Sequence, residues 1–294
     1  MASYAFRILN VFTIDGDPFS GNPLCVFEDA RGLTDAQMQA LARQMNLSET
    51  TFVLPATGDA DARVRIFTPG FEMPFAGHPT LGTANVVAAT LAKTRVALEM
   101  IAGVVAVQRD AREASQDARA SRSAWTLRAA KAPATRAVDA SRDELAAMLG
   151  LPAGAVSDEP LWVNTGVEQL VIPLVSTELV RAATPVMALV EKHGFSESRD
   201  EAMAYVWARD REDIDVRFFF TSNGALLEDP ATGSACANLG GWMIARDRPR
   251  PMAATLWQGA AIARPSRLEL RIDEHDQIYV TGSVMELGRG TVDV

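Results

Sequence analysis

Four side chains carry most of the chemistry that this sequence offers. Glu49 stands in Asn46-Leu47-Ser48-Glu49-Thr50-Thr51-Phe52, between a helical pattern and an apolar strand pattern. A carboxylate among apolar and hydroxyl neighbours loses solvation, so its pKa rises and it suits general acid/base work. A surface Glu beside a turn fits the same local pattern, and both readings stay open here. His78, before Pro79, and Ser234, after Gly233, each fall where a helix is expected to begin. A helix start offers free N–H groups and the positive end of the dipole, a good seat for a carboxylate. Simple capping fits both residues equally well. Asp229 precedes Pro230, which is ordinarily a turn position.

Other chemistries find little support. The chain has no GxxxxGK[ST] and no strand-bound GxGxxG, so nucleotide binding is not indicated. Its three histidines, His78, His193 and His275, do not pair at the spacing of metal ligands. Lys93, Lys131 and Lys192 are the only lysines, none in a motif, which argues against a pyridoxal Schiff base. No Gly-x-Ser-x-Gly elbow occurs. No cofactor and no metal are therefore expected. The net charge of −9, from 28 basic and 37 acidic residues, disfavours nucleic acid as a partner. No apolar run approaches the length of a membrane span, no signal-peptide pattern opens the chain, and Cys25 and Cys236 are far apart with no CxxC spacing. A cytoplasmic protein with two free thiols is expected.

These side chains need elements to hold them. Residues 5–12 and 23–28 have strand composition, joined by the turn-rich Asp-Gly-Asp-Pro-Phe-Ser-Gly-Asn-Pro. Thr34 can N-cap a helix to about Met45. Strands are expected at 51–55 and 63–68, a helix from about Pro79 to Leu91, and a hairpin at 95–107. Residues 109–124 are polar and suggest an exposed loop or short helix, with the boundary between halves, 1–124 and 125–294, near them. Further helices are expected at 142–149, 177–191 and 234–246. Strands are expected near 168–174, 203–208, 214–220, 267–272 and 277–284, the last of which can cross back to the first half.

An internal repeat organises this pattern. Glu72 and Glu228, Pro74 and Pro230, and Gly77 and Gly233 are each 156 positions apart. Phe67-Thr68 precedes one copy and Phe220-Thr221 the other, and a small-residue helix follows each. The matching glutamates read as structural, whereas Asp229 stands where the first copy has Met73, a hint of specialisation. A weaker echo pairs Ser48–Pro55 with Val167–Pro173. Two similar domains follow from the repeat, with a ligand cleft between such halves as the usual consequence.

Several stretches resemble the PhzF-like, phenazine-biosynthesis family. They are Val11-Phe12-Thr13 with Pro18-Phe19-Ser20-Gly21-Asn22-Pro23-Leu24, Asn46–Thr50, Glu72–Ala84 and Glu228–Ala235, with a weaker one in Gln258-Gly259 and Arg264-Pro265-Ser266. The resemblance spans residues 11 to 267. It implies a mixed α/β fold like diaminopimelate epimerase: two pseudo-symmetric domains, each a barrel-like β-sheet around a central helix. It also implies a cofactor-independent isomerase in which Glu49 moves a proton within a small, cyclic amino or hydroxy acid, as in a dihydro-hydroxyanthranilate. Asp229 and His78 would position amino or hydroxyl groups, and Ser234 with nearby helix N–H groups would hold the carboxylate. Gly77, Pro79, Thr80, Gly233 and Ala235 are then expected to line the substrate. A homodimer is a further implication. The related epimerases use one cysteine from each half, but Thr80 stands where a partner for Cys236 is needed. Two rival readings stay open: a cofactor-free amino-acid racemase or epimerase, and a non-catalytic small-carboxylate-binding protein.

Overall fold

The computed structural model describes residues 1–15, 17–110 and 122–294. The chain divides into two compact units, Met1–Arg128 with Thr281–Val294, and Ala129–Val280. The final strand, Ile278–Asp293, begins in the second and continues in the first.

In the first unit, strand Asn22–Phe27 runs antiparallel to Ser3–Val11 and parallel to Glu49–Leu54. Ala62–Phe67 follows antiparallel, and Arg95–Met100 lies parallel to it. Gly103–Arg109 and Arg122–Arg128 complete the run, and Arg122–Arg128 pairs with the final strand, which returns to Ser3–Val11. The sheet thus closes on itself and leaves no edge among these strands. Helix α1, Asp35–Met45, starts at Thr34 in a capping box with Gln37, as its sequence predicts. It lays Met38, Leu41 and Ala42 over Phe27, Phe52 and Phe67, whose rings stack at 4.9 Å and meet edge-on at 5.4 Å. Helix α2, Gly77–Leu91, is apolar or small on every face and is buried nearly throughout, as a helix at the centre of a barrel must be. A Cβ on Gly82 would collide with Leu24, so the strand packs against bare helix backbone there.

The second unit repeats this order. Glu168–Pro173 pairs parallel with Glu201–Asp210, which is antiparallel to Asp213–Ser222. That strand pairs with Ala225–Asp229 and, in parallel, with Met252–Gln258, which is antiparallel to Ser266–Ile272. Leu161–Asn164 and Ala134–Ala137 extend the other side. Helices α3 (Arg142–Met148), α4 (Thr177–Ala182) and α5 (Met187–His193) lie outside the buried α6, Gly233–Ala245. No described helix is long and apolar enough to cross a membrane.

Three expectations need correction. The single helix at 177–191 is two short ones, because Pro185 cannot continue α4. The polar stretch 109–124 ends in strand Arg122–Arg128, where Ser123 and Trp125 are buried and share the Asn85 carboxamide oxygen; the rest of it, 111–121, lies outside the described residues. The weaker echo misassigns its strands. By its neighbours, Glu168–Pro173 is the counterpart of Asn22–Phe27, and Glu49–Leu54 corresponds to Glu201–Asp210.

The main repeat has a firmer basis than its Phe-Thr match. Arg65 holds Glu72 through Nε and Nη2, each at 2.6 Å, and lies over the Phe67 ring. Arg217 holds Glu228 in the same fork, at 3.0 and 2.7 Å, and lies over Phe219. Phe67 pairs with Glu72 and Phe219 with Glu228, so the counterpart of Phe67 is Phe219 rather than Phe220. The two glutamates are therefore structural, tying the strand that leads toward each central helix, Glu72–Met73 or Ala225–Asp229, to the strand before it.

Candidate active site

In the first unit the turn before strand Asn22–Phe27 depends on Gly21, whose φ of +80° and approach to the Val11 carbonyl exclude a side chain. This turn delivers Pro23 to the start of the strand. The parallel register then sets Leu24 opposite Glu49, the first residue of its own strand. His78 is the second residue of α2, whose N-cap, Ala76, has no side chain able to cap the helix. Sheet and helix thus bring Glu49 and His78 together: Glu49 Oε2 lies 3.3 Å from His78 Nε2, with the side chains 15% and 5% exposed.

This contact is not an ion pair. Burial pushes the His78 imidazole down to about 3, and a hydrogen bond to Pro23 opposes that only in part. Proline offers only a carbonyl, and Nε2 faces Glu49, so Nδ1–H is the donor to Pro23. The tautomer is then fixed: Nε2 presents a lone pair to the carboxyl group. A protonated Glu49 can donate to it, and an ionised Glu49 is left ready to accept a proton from elsewhere. The linkage sign follows. A solvated imidazole takes its proton near 6.5, and folded His78 only at about 3. Between these values the unfolded chain binds the extra proton. The His78 contribution to stability is therefore complete above about 6.5 and is lost as the pH falls toward 3. Urea unfolding at about pH 7 and about pH 4 should show a larger loss for wild type than for His78→Gln; equal losses would contradict the assignment.

In the second unit Asp229 ends strand Ala225–Asp229, and Pro230 turns the chain toward α6. Thr232 is the N-cap residue, yet its hydroxyl does not cap the helix; it donates to Asp229 Oδ2 at 2.5 Å. Gln258 braces both residues. Its Oε1 accepts from the Thr232 N–H at 3.2 Å, and its Nε2 donates to the Asp229 carbonyl at 2.9 Å and to Thr232 Oγ1 at 3.0 Å. Ser234, the second residue of α6, accepts from Gln169 Nε2 at 3.0 Å.

The remaining expected residues fall as follows. Gly77 and Gly233 open their helices and are buried, with Pro79 and Ala235 behind them. The Thr80 hydroxyl is turned into its own helix, donating to the Ala76 carbonyl at 2.7 Å. A groove of about 1030 Å³ on the second unit, lined among others by Arg181, Asp215, Arg217 and Trp257, includes none of Glu49, His78, Asp229 or Ser234. Among the described residues, no cluster of His, Cys, Asp and Glu has the arrangement of a metal site. Sequence reasoning missed Gln169, Asn238, Thr165 and Thr232, and left Gln258 in a weak motif without a role. The signal for Gln258 is its neighbour: Gly259 has φ +77° and lies against the Pro230 carbonyl.

A family model described as a phenazine biosynthesis-like protein matches residues 9–288. This chain belongs to that family. An uncharacterized isomerase of Pasteurella multocida is 38% identical over 100% of this chain and 96% of its own. A trans-2,3-dihydro-3-hydroxyanthranilate isomerase of Pseudomonas chlororaphis is 34% identical over 94% of this chain and 95% of its own. The crystal structure of a Bacillus anthracis phenazine biosynthesis protein of the PhzF family superposes with a TM-score of 0.82, at 23% identity and 100% coverage of both chains. The mixed α/β, epimerase-like fold expected from the sequence is the one observed, and the family is one of isomerases.

Both thiols stay protonated at neutral pH, so neither supplies a thiolate base. Burial pushes Cys25 up to about 12 and raises Cys236 as well. The double variant Cys25→Ala/Cys236→Ala should keep wild-type turnover while losing some stability to the small cavities. Lost turnover in a folded double variant would restore a thiol mechanism.

Proposed function

We propose that the chain is a cofactor-independent isomerase that moves a proton between two carbons of a small, cyclic amino or hydroxy acid, with Glu49 as the shuttle. The observation that carries this reading is the Glu49–His78 contact, a largely buried carboxyl group facing a neutral imidazole whose tautomer is fixed. In the forward step the carboxylate removes a proton from an acidic carbon, and the electron pair of that C–H bond enters the adjacent π-system. The same carboxyl group then returns the proton to another carbon of that system. No electrons are gained or lost overall, so the step needs no redox partner.

Local geometry supports three further roles. His78 Nε2, an acceptor, receives a substrate N–H or O–H when Glu49 is engaged with carbon. Asp229, held by Thr232, serves an amino or hydroxyl group in the same way. Ser234 and the uncapped N–H groups of α6 suit the carboxylate. The test is to follow trans-2,3-dihydro-3-hydroxyanthranilate, with a panel of cyclic amino and hydroxy acids, by NMR in the presence of enzyme. A moved double bond in one of them supports the reading. Inversion of a stereocentre without a bond shift would favour a racemase, and binding without turnover a carboxylate-binding protein.

A further inference from the structure

The two central helices meet their barrels in different ways, and the difference is chemical. In the first unit Leu24 packs onto the bare backbone at Gly82. The repeat separation of 156 carries Gly82 to Asn238, and there the strand residue against the helix is Gln169. Two amides thus replace an apolar contact, and both are almost wholly buried, at 1% for Gln169 and 0% for Asn238. Burying amides without need is costly, so their hydrogen bonds show what they are for.

The direction of these bonds is fixed by backbone groups of unambiguous polarity. The Thr165 N–H donates to Asn238 Oδ1 at 2.9 Å, joined by the Thr165 hydroxyl at 2.7 Å. The Asn238 amide nitrogen therefore points the other way, to the Val167 carbonyl at 2.8 Å and to Gln169 Oε1 at 2.7 Å. That orients Gln169 in turn, so its Nε2 donates to Ser234 Oγ at 3.0 Å. At the end of the chain Ser234 is an acceptor toward the protein, and its own hydrogen is left to donate elsewhere. Ser234 is partly exposed, unlike the amides behind it.

We propose that Gln169 is a positioning residue that acts through Ser234: with Asn238 it polarises and aims the Ser234 hydroxyl so that its hydrogen points to a carboxylate of the substrate. This rests on the reading of Ser234 as a substrate-holding residue. An apolar residue at 169 would fill the same space, as Leu24 does in the other half, but would leave the hydroxyl without its donor.

The test uses Gln169→Leu, with Gln169→Met as an unbranched second version, each alone and combined with Ser234→Ala in the full chain. Crystal structures read the first consequence without any substrate: Ser234 Oγ holds one rotamer in wild type and leaves it in the Gln169 variants. An unchanged single rotamer would overturn the proposal. Kinetics with trans-2,3-dihydro-3-hydroxyanthranilate read the second. Gln169→Leu is expected to lower kcat/KM about tenfold, the worth of one neutral hydrogen bond, and to have no further effect once Ser234 is Ala. Effects that multiply across the two sites would show a merely structural role and overturn it. Failure of wild type to turn over this probe counts against the isomerase reading, while the rotamer still decides the role of Gln169.

Discussion

Glu49→Gln should lower kcat by about a thousandfold, in the middle of the range for loss of a general acid/base, and leave KM within a few fold. The amide keeps the size of the carboxyl group and can donate an N–H to His78 Nε2, which is already fixed as an acceptor by the Pro23 carbonyl. Fold and thermal midpoint should therefore be preserved, and the loss falls on the chemical step alone. Glu49→Asp should be intermediate in effect, because it keeps the acid but withdraws it by one methylene from both His78 and the reacting carbon. Steady-state kinetics with unfolding curves for the same preparations check this. A Glu49→Gln enzyme with wild-type kcat would remove Glu49 from the chemistry.

Gly259→Ala should be among the most damaging single-methyl substitutions in the second unit. Its φ of +77° costs an alanine roughly 1–2 kcal/mol. The added methyl would also meet two backbone carbonyls, with the Pro230 oxygen at 2.5 Å and the Arg264 oxygen closer still. Neither can swing aside as a side chain could. The strand end must move, and Gln258 moves with it, releasing its three bonds to Asp229 and Thr232. A total of about 3 kcal/mol is expected, in the upper part of the range for single substitutions, together with a fall in kcat/KM of the folded fraction. Gly224→Ala is the control. Its φ of +74° is similar, but nothing lies within 4 Å of the new methyl, so it should cost only the backbone term. Urea midpoints decide: equal costs at the two glycines would contradict the bracing role of Gln258-Gly259.

Much of the scaffold was legible in the residues because it rests on local rules. The Thr34 capping box and the small-residue helices α2 and α6 each carry their signal in adjacent positions. The repeat was visible through Glu, Pro and Gly at one separation, and the structure gives the glutamates a shared role: each is clamped by an arginine on the neighbouring strand. The strand signals were weaker. Asn223-Gly224, with φ values of +50° and +74°, forms the two-residue turn between Asp213–Ser222 and Ala225–Asp229. This hairpin, unread in the sequence, pairs three residues beyond Phe219, as far as Ser222 with Ala225, where the first copy turns directly after Phe67, and that extra length shifts Phe219 against Phe67. The misread echo had a simple cause, since Glu followed by an apolar run describes both Glu49–Leu54 and Glu168–Pro173. The two glutamates differ in surroundings: Glu168 is gripped by Arg136 at 3.0 Å and by Ser196, which holds its carboxyl below the usual range.

The site itself was legible as residue types and not as geometry. Nothing local marks Pro23 as the partner that fixes the His78 tautomer. Likewise, nothing local joins Gln169 to Asn238, since those contacts come from docking a helix against a sheet. Glu49 and His78 have opposite local readings, turn and cap, and only the parallel register of Leu24 with Glu49 puts them within 3.3 Å.

The most direct test of the proton shuttle is a single incubation of trans-2,3-dihydro-3-hydroxyanthranilate in deuterium oxide with wild type and, separately, with Glu49→Gln, read by mass spectrometry and NMR. The account predicts isomerised product with wild type, with any deuterium confined to the carbon that receives the proton, and isomerisation and exchange slowed about a thousandfold with Glu49→Gln. Exchange or isomerisation at the wild-type rate in Glu49→Gln would contradict it.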